Sequence, residues 1–207
     1  AAVLLPQAGR ASRVAVADAA LWQGAVAQTL EAPTLEASGF VPGADLVGVL
    51  NQLAQAPAVR SMSARTRERL DHVMPQLFGA ARETDAPAAC LLRLCRLVQA
   101  VVRRPSYLAL LDEQPPARKR LARLFADSAL LAERVIAQPL LLDDVLDPRI
   151  DQLPIRQADI AAEIGRVLGT LDEREPEAEL ERINEFKASM AFRLGLAFVD
   201  GRADAVA

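Results

Sequence analysis

The sequence predicts an all-α protein, a multi-helix bundle of short, proline-punctuated helices with one long C-terminal helix. Three observations carry that expectation. Apolar residues make up 52% of the 207 while aromatics are only 4%, so alanine, leucine and valine must supply the core, and the first two are strong helix formers. Apolar positions recur at i, i+3 and i+4, the period of one helix face. Prolines and serines fall between those runs, where a helix start tolerates the ring and uses the hydroxyl.

Taken in order, residues 1–15 lack a period and read as irregular. Val16 to Leu30 reads as a helix with a small-residue middle, and Trp22, the single tryptophan, as a core anchor. Pro33, Gly39, Pro42 and Gly43 mark a loop. Ala44 to Ala54 resumes helical spacing through Leu46, Val49, Leu50 and Leu53. Ser61 or Ser63 is placed to cap the following helix, with Glu68 in its first turns. After a loop from Glu83 to Pro87, Cys90 to Arg103 is strongly amphipathic through Leu91, Leu94, Cys95, Val98, Val101 and Val102. Pro105 starts a short helix with Tyr107, Leu108 and Leu111 inward, and Pro115-Pro116 ends it.

The stretch from Arg118 to Arg149 reads as three short helices set apart by Ser128, Pro139 and Pro148. Leu121, Leu124 and Phe125 share one face. Asp127 and Ser128 offer caps for the next helix, which buries Leu131, Val135 and Ile136. Pro139 inside a helix would cost about 3 kcal/mol, so it is expected at the first position of a new one, where its missing N–H has no partner to lose. That third helix turns Leu142, Val145 and Leu146 inward and stops at Asp147-Pro148.

Residues 149–158 read as a polar connector. Asp159 caps a helix that buries Ile160, Ile164, Val167, Leu168 and Leu171. The last helix begins at Pro176, behind a run of acidic residues that suits the positive end of its dipole. Leu180, Ile183, Phe186 or Lys187, Met190, Leu194 and Ala197 follow at the spacing of a bundle seam. An offset of 34 residues aligns Val101, Val102, Pro105, Leu108 and Leu111 with Val135, Ile136, Pro139, Leu142 and Val145. Two copies match shared helix–proline–helix grammar as well as they match a repeat.

Net charge is only −3, but residues 60–123 carry 13 basic and 6 acidic side chains, whereas residues 124–207 carry 9 basic and 17 acidic. The halves can neutralise one another, or the basic one can present a docking surface for an acidic partner. Cys90 and Cys95 have no second pair or neighbouring histidine, so a buried reduced pair is expected rather than a zinc site. His72, the only histidine, reads as a surface residue among arginines. Asp143, Asp144 and Asp147 read as helix-surface and capping groups rather than metal ligands. No P-loop, Gly-rich fingerprint or Ser/Cys–His constellation occurs in the sequence, no apolar run approaches the ~18 residues of a membrane span, and the basic segment lacks the interleaved aromatics of a nucleic-acid binder. The ends, Ala1-Ala2-Val3 and Ala205-Val206-Ala207, read as cut from a longer polypeptide.

The segment RKRLARLFADSALLAERVIAQPLLLDDVLDPR resembles the ASPxLAxxLxRHPxLLDxLLDPR segment of the bacterial glutamine synthetase adenylyltransferases, a bifunctional adenylylating and deadenylylating family. The match runs through Leu121, Phe125, Ser128, Leu131, Ala132, Pro139, Leu141, Leu142, Asp143, Leu146, Asp147, Pro148 and Arg149, with departures at Ala129 and Gln138. VRSMSARTRERLDHVMPQLF is similar to the family's SxRxRxRLDxLMPxLL segment, and INEFKASMAFRLG to its LRxFKQxxxLRIA helix, through Phe186, Lys187 and Arg193.

The resemblance implies the central helical part of such an enzyme, between its two nucleotidyltransferase domains. Residues 1–85 would be the helical tail of the preceding, deadenylylating half and residues 86–207 the lead-in to the adenylylating half, unless the two form one continuous domain. The family's ATP and magnesium chemistry falls to a G-S-x-x-D-x-D pattern, and no Gly-Ser dipeptide occurs here, so no catalytic, cofactor-binding or metal-binding residue is expected in this chain. The implied partners are the flanking domains and, through the parent enzyme, glutamine synthetase and the PII protein, all in the cytoplasm. Neither nucleic acid nor membrane is expected. Arg118, Lys119, Arg120 and Arg123 are the candidate interface residues. A free-standing helical interaction module is the alternative.

Overall fold

The computed structural model describes residues 5–41, 45–146 and 176–199, with 161, 162, 164–166 and 169 between the last two stretches. Every regular element among the described residues is an α-helix, as the composition predicts. In chain order, besides the helical residues 161, 162 and 164–166, they are α1 (Leu5–Ala27), α2 (Ala32–Ala37), α3 (Leu46–Gln55), α4 (Pro57–Arg60), α5 (Ala64–Arg82), α6 (Pro87–Val101), α7 (Pro105–Glu113), α8 (Pro115–Asp127), α9 (Ala129–Ala137), α10 (Leu141–Leu146) and α11 (Pro176–Val199). The backbone gathers into two compact units, residues 1–139 and 140–207.

Prolines open helices here more often than they close them. Pro33, Pro57, Pro87, Pro105 and Pro115 each sit at the first or second helical position, where the absent N–H is not needed. Serines supply the missing acceptors: Ser63 Oγ takes the Thr66 N–H at 3.3 Å and Ser128 Oγ takes the Leu131 N–H at 3.2 Å. Asp45 does the same for Gly48 at the start of α3. Gly39 has φ +92°, a left-handed value that glycine adopts without strain, and it turns the chain after α2 so that Phe40 points inward.

α5 is the hub of the first unit and packs against α1, α6, α7 and α8. It buries Leu70, Val73, Met74, Leu77, Phe78, Ala80 and Ala81, while Pro75 lies inside the helix, half-buried. Around it close Trp22 from α1, Phe40, the whole apolar face of α6, and Leu121, Leu124 and Phe125 from α8, all buried. Phe40 and Phe78 meet edge to face at 5.8 Å, and the Arg82 guanidinium lies 5.0 Å from the Phe40 ring.

The second unit pairs α10 with α11. Leu142 and Val145 are buried there, as are Phe192, Leu196 and Ala197. Arg193 reaches the Asp144 carboxylate at 3.8 Å.

Several boundaries differ from the sequence reading. α1 begins at Leu5, not near residue 16, because alanine-rich helix propensity needs no apolar period. A six-residue helix, α2, occupies part of the expected loop after Pro33. Pro115 and Pro116 open α8 rather than close α7, which stops at Glu113. Pro139 lies in a turn two residues before α10, so the proline makes the break without starting the helix. On α11 the expected seam is displaced: Leu180 and Leu194 are exposed while Phe192 and Leu196 are buried. Ile164, expected to be buried, is also exposed. The connector, its proline and the Asp147-Pro148 stop lie outside the described residues, as do Asp159, Ile160, Val167, Leu168 and Leu171.

Candidate functional site: the charged surface of the first unit

The four candidate interface residues sit on α8, and the fold uses them differently. Arg118 turns back to cap the end of α7, donating to the carbonyls of Leu111 and Asp112, the second at 2.8 Å. Burial lowers its pKa, against the pull of the nearby Asp112 carboxylate. Lys119 pairs with Glu83 at 2.9 Å across the surface, with both side chains well exposed. Arg120 is half-buried and engaged. Arg123 is exposed and makes no ion pair among the described residues, so its guanidinium is the one of the four most available to a partner.

Other arginines act as internal struts. Arg93 donates to the carbonyls of Phe125 and Ala126, capping α8 from α6, and Arg96 makes a two-pronged pair with Glu133 of α9. Arg82 holds Asp18 with both terminal nitrogens and donates from Nε to the Ser38 carbonyl at 2.8 Å, tying α1 and the end of α2 to α5. Much of the positive charge counted in residues 60–123 is therefore spent on holding helices together.

His72 is exposed, as the sequence suggests, but it has a partner that sequence distance concealed: its Nδ1 lies 2.5 Å from Asp112 Oδ1. Gln76 contacts the same ring, and Arg69 reaches Asp112 at 3.6 Å and Glu113 at 3.3 Å. The groups touching the imidazole include no hydroxyl or thiol, so this His–Asp pair lacks the nucleophile that would give it acyl-transfer chemistry. It fastens α7 to α5.

Cys90 and Cys95 are buried free thiols, and burial pushes both pKa values up to about 12. A thiol held protonated is a poor nucleophile and a poor ligand. Among the described residues no three His, Cys, Asp or Glu side chains group as a metal site, and no helix is long and apolar enough to cross a membrane. Asp143 is exposed, Asp144 faces Arg193, and Asp147 lies outside the described residues.

The sequence reading did not single out Arg60, Arg65, Arg103 and Arg104. All four are exposed, and none makes an ion pair or side-chain hydrogen bond among the described residues. The signal was present in the charge count, but which arginines are spent on struts only the fold decides.

No family model matches the chain. It is similar along its whole length to the bifunctional glutamine synthetase adenylyltransferase/adenylyl-removing enzyme of Stenotrophomonas maltophilia (strain K279a), with 43% identity over 206 residues, 100% of this chain and 22% of that protein. Proteins of the same name from Xanthomonas axonopodis pv. citri and Nitrosococcus oceani match at 48% over 158 residues and 34% over 183 residues, covering 76% and 88% of this chain. The chain spans 22% or less of the length of these relatives.

Proposed function

The chain belongs, as a relative of one segment, with the bifunctional glutamine synthetase adenylyltransferase/adenylyl-removing enzymes, and on that footing we propose that it serves as a non-catalytic helical region of such an enzyme. The observation that carries this reading is similarity along the whole chain to about a fifth of a much longer protein. Alongside it, some of the side chains weighed for chemistry have other engagements: His72 with Asp112, Asp144 with Arg193, and both thiols inside the core.

In this reading the parent transfers AMP to and from glutamine synthetase through nucleotidyltransferase domains that flank the helical region. Those domains bind ATP and magnesium, and no site for either is proposed in this chain. Residues 1–85 belong to the tail of the deadenylylating half and residues 86–207 to the lead-in of the adenylylating half, in a cytoplasmic enzyme that answers to the PII protein. A rigid helical block between two opposed active sites biases which of them is competent, and the basic segment on α8 is its candidate contact for PII or a neighbouring domain.

Within that segment the contact would run through Arg123 and the exposed head of Lys119, since Arg118 is committed to the end of α7. In the full-length enzyme, K119E/R123E is expected to alter the PII response of adenylylation while leaving basal transfer intact. An unchanged PII response would remove the α8 assignment. Reading the gene beyond Ala207 tests the parent assignment itself: a strand followed by G-S-x-x-D-x-D supports it, and an immediate stop supports a free-standing module.

A further inference from the structure

We propose that the end of the first unit formed by the α4–α5 and α6–α7 turns is a docking site for an acidic protein segment, with Arg60, Arg65, Arg103 and Arg104 as its cationic contacts. The inference concerns this chain alone and goes beyond its reading as part of a longer enzyme.

Two lines place these arginines at one end. α5 and α6 pack together and are joined by only four residues, 83–86, so the chain doubles back and the start of α5 lies beside the end of α6. Arg60 and Arg65 flank the start of α5, and Arg103 and Arg104 follow the end of α6. Independently, Asp112 and Glu113 at the end of α7 meet Arg69 and His72 in the first half of α5. Lys119, further along, meets Glu83 at the far end of α5. From residue 112 to 119 the chain therefore advances along α5 toward its C-terminus. α7 follows α6 after only three residues, 102–104, and packs on α5, so its first turn stays at the end where α6 stops.

Their shared state sets them apart from the other arginines of α5 and α6. Arg67, Arg69, Arg82 and Arg96 on the same two long helices each have a carboxylate partner, and Arg93 caps a helix. Arg60, Arg65, Arg103 and Arg104 have none among the described residues. The acidic residue nearest in sequence to Arg60 and Arg65, Glu68, is exposed and makes no ion pair among the described residues, leaving an excess of positive charge. Unpaired guanidinium groups accept carboxylates with two parallel hydrogen bonds, and a cluster of them raises association rates with acidic surfaces. The surrounding turn residues, Ser61, Met62, Pro105 and Ser106, offer small polar and aliphatic contact but no aromatic face on which a base could stack, and Tyr107 is buried. This favours an acidic peptide over a nucleic acid.

The test is fluorescence anisotropy of a fluorescein-labelled poly-L-glutamate peptide against the full chain at low salt. R60E/R65E and R103E/R104E are each expected to weaken binding by about tenfold or more, and added salt to weaken binding to the unsubstituted chain. K119E/R123E is expected to change it less than about twofold. All six substituted side chains in these three variants are on the surface, so thermal melts followed by circular dichroism should stay close to that of the unsubstituted chain. No binding, equal loss in the α8 variant, or an oligothymidylate that binds more tightly than the peptide would each overturn the proposal. None of these readouts depends on whether the chain is part of a larger enzyme.

Discussion

Asp18 carries a charge at 2% exposure, which is tolerable only because Arg82 meets it with two nitrogens. The same guanidinium lies over the Phe40 ring and donates to the Ser38 carbonyl, so one side chain serves α1, α2 and α5. Removing the carboxylate leaves a cation only 26% exposed without its counter-charge. D18A is expected to destabilise the chain by about 3 kcal/mol in urea unfolding, and D18A/R82M by distinctly less, because the double variant buries no unpaired charge. Equal losses in the two would mean that packing and not charge is at stake. The thiols make a different, pH-dependent contribution. Burial raises both Cys90 and Cys95 from 9.0 to about 12, so above pH 9 the unfolded chain loses protons that the folded chain keeps. A raised folded pKa gives stability that is complete below the unfolded value and declines as pH climbs toward the folded one. Each thiol then contributes a slope of about −1.4 kcal/mol per pH unit across that window. Urea midpoints at a series of pH values should fall accordingly, and the fall should flatten in C90A/C95A, whatever that variant loses outright to its cavity. At neutral pH neither thiol should react with a disulfide reagent until the chain unfolds.

At the scale of the element, helix starts were legible where a side chain makes the cap and obscure where propensity alone decides. Ser128, and Ser63 as one of two candidates with Ser61, were legible because a hydroxyl before an apolar-periodic run has one common use, and both accept a backbone N–H. S128A is expected to cost about 1 kcal/mol by chemical denaturation, as is S63A, and their separation in different helices should make the double variant additive. A marked excess over the sum would show that α5 and α9 fray together. Most of the buried face of α6 was readable, since Leu91, Leu94, Cys95, Val98, Val101 and Val102 lie opposite the exposed Arg96 and Gln99, although Leu97 is buried as well and was not expected. The stripe of α11 was not. From Phe186 to Val199 the helix is apolar nearly all round, so period alone cannot choose among its faces, and the structure buries Phe192 and Leu196 while leaving Leu194 outward. Trp22 was legible as a core anchor, but the 2.6 Å hydrogen bond from its Nε1 to Asp71 joins residues 49 apart, which local pattern cannot reveal. A separation of 40 residues likewise hid Asp112 from His72.

At the scale of the molecule, the uneven charge resolves into two uses, struts between helices and exposed arginines such as Arg60, Arg65, Arg103, Arg104 and Arg123 that make no ion pair among the described residues, and only the first is internal to the fold. The first unit also closes its own core: Trp22, Phe40, Phe78 and Phe125 are all buried and all lie before residue 139. α9 packs on α6 and α8 within it, so the last helix before the break covers apolar surface that already belongs to this unit. A segment that buries its own aromatics and caps its own helices should fold without the remainder. Residues 1–139 produced alone are therefore expected to unfold cooperatively, at a urea midpoint close to that of the whole chain. Trp22 provides the reading, because the only tryptophan lies inside the first unit and its fluorescence reports that core in both proteins. Circular dichroism of the whole chain sums both units, so a second, lower transition seen by dichroism and missed by fluorescence would assign the weaker cooperativity to residues 140–207. A large fall in the Trp22 midpoint on truncation would mean that the second unit stabilises the first, and that the break at residue 139 is not a thermodynamic boundary.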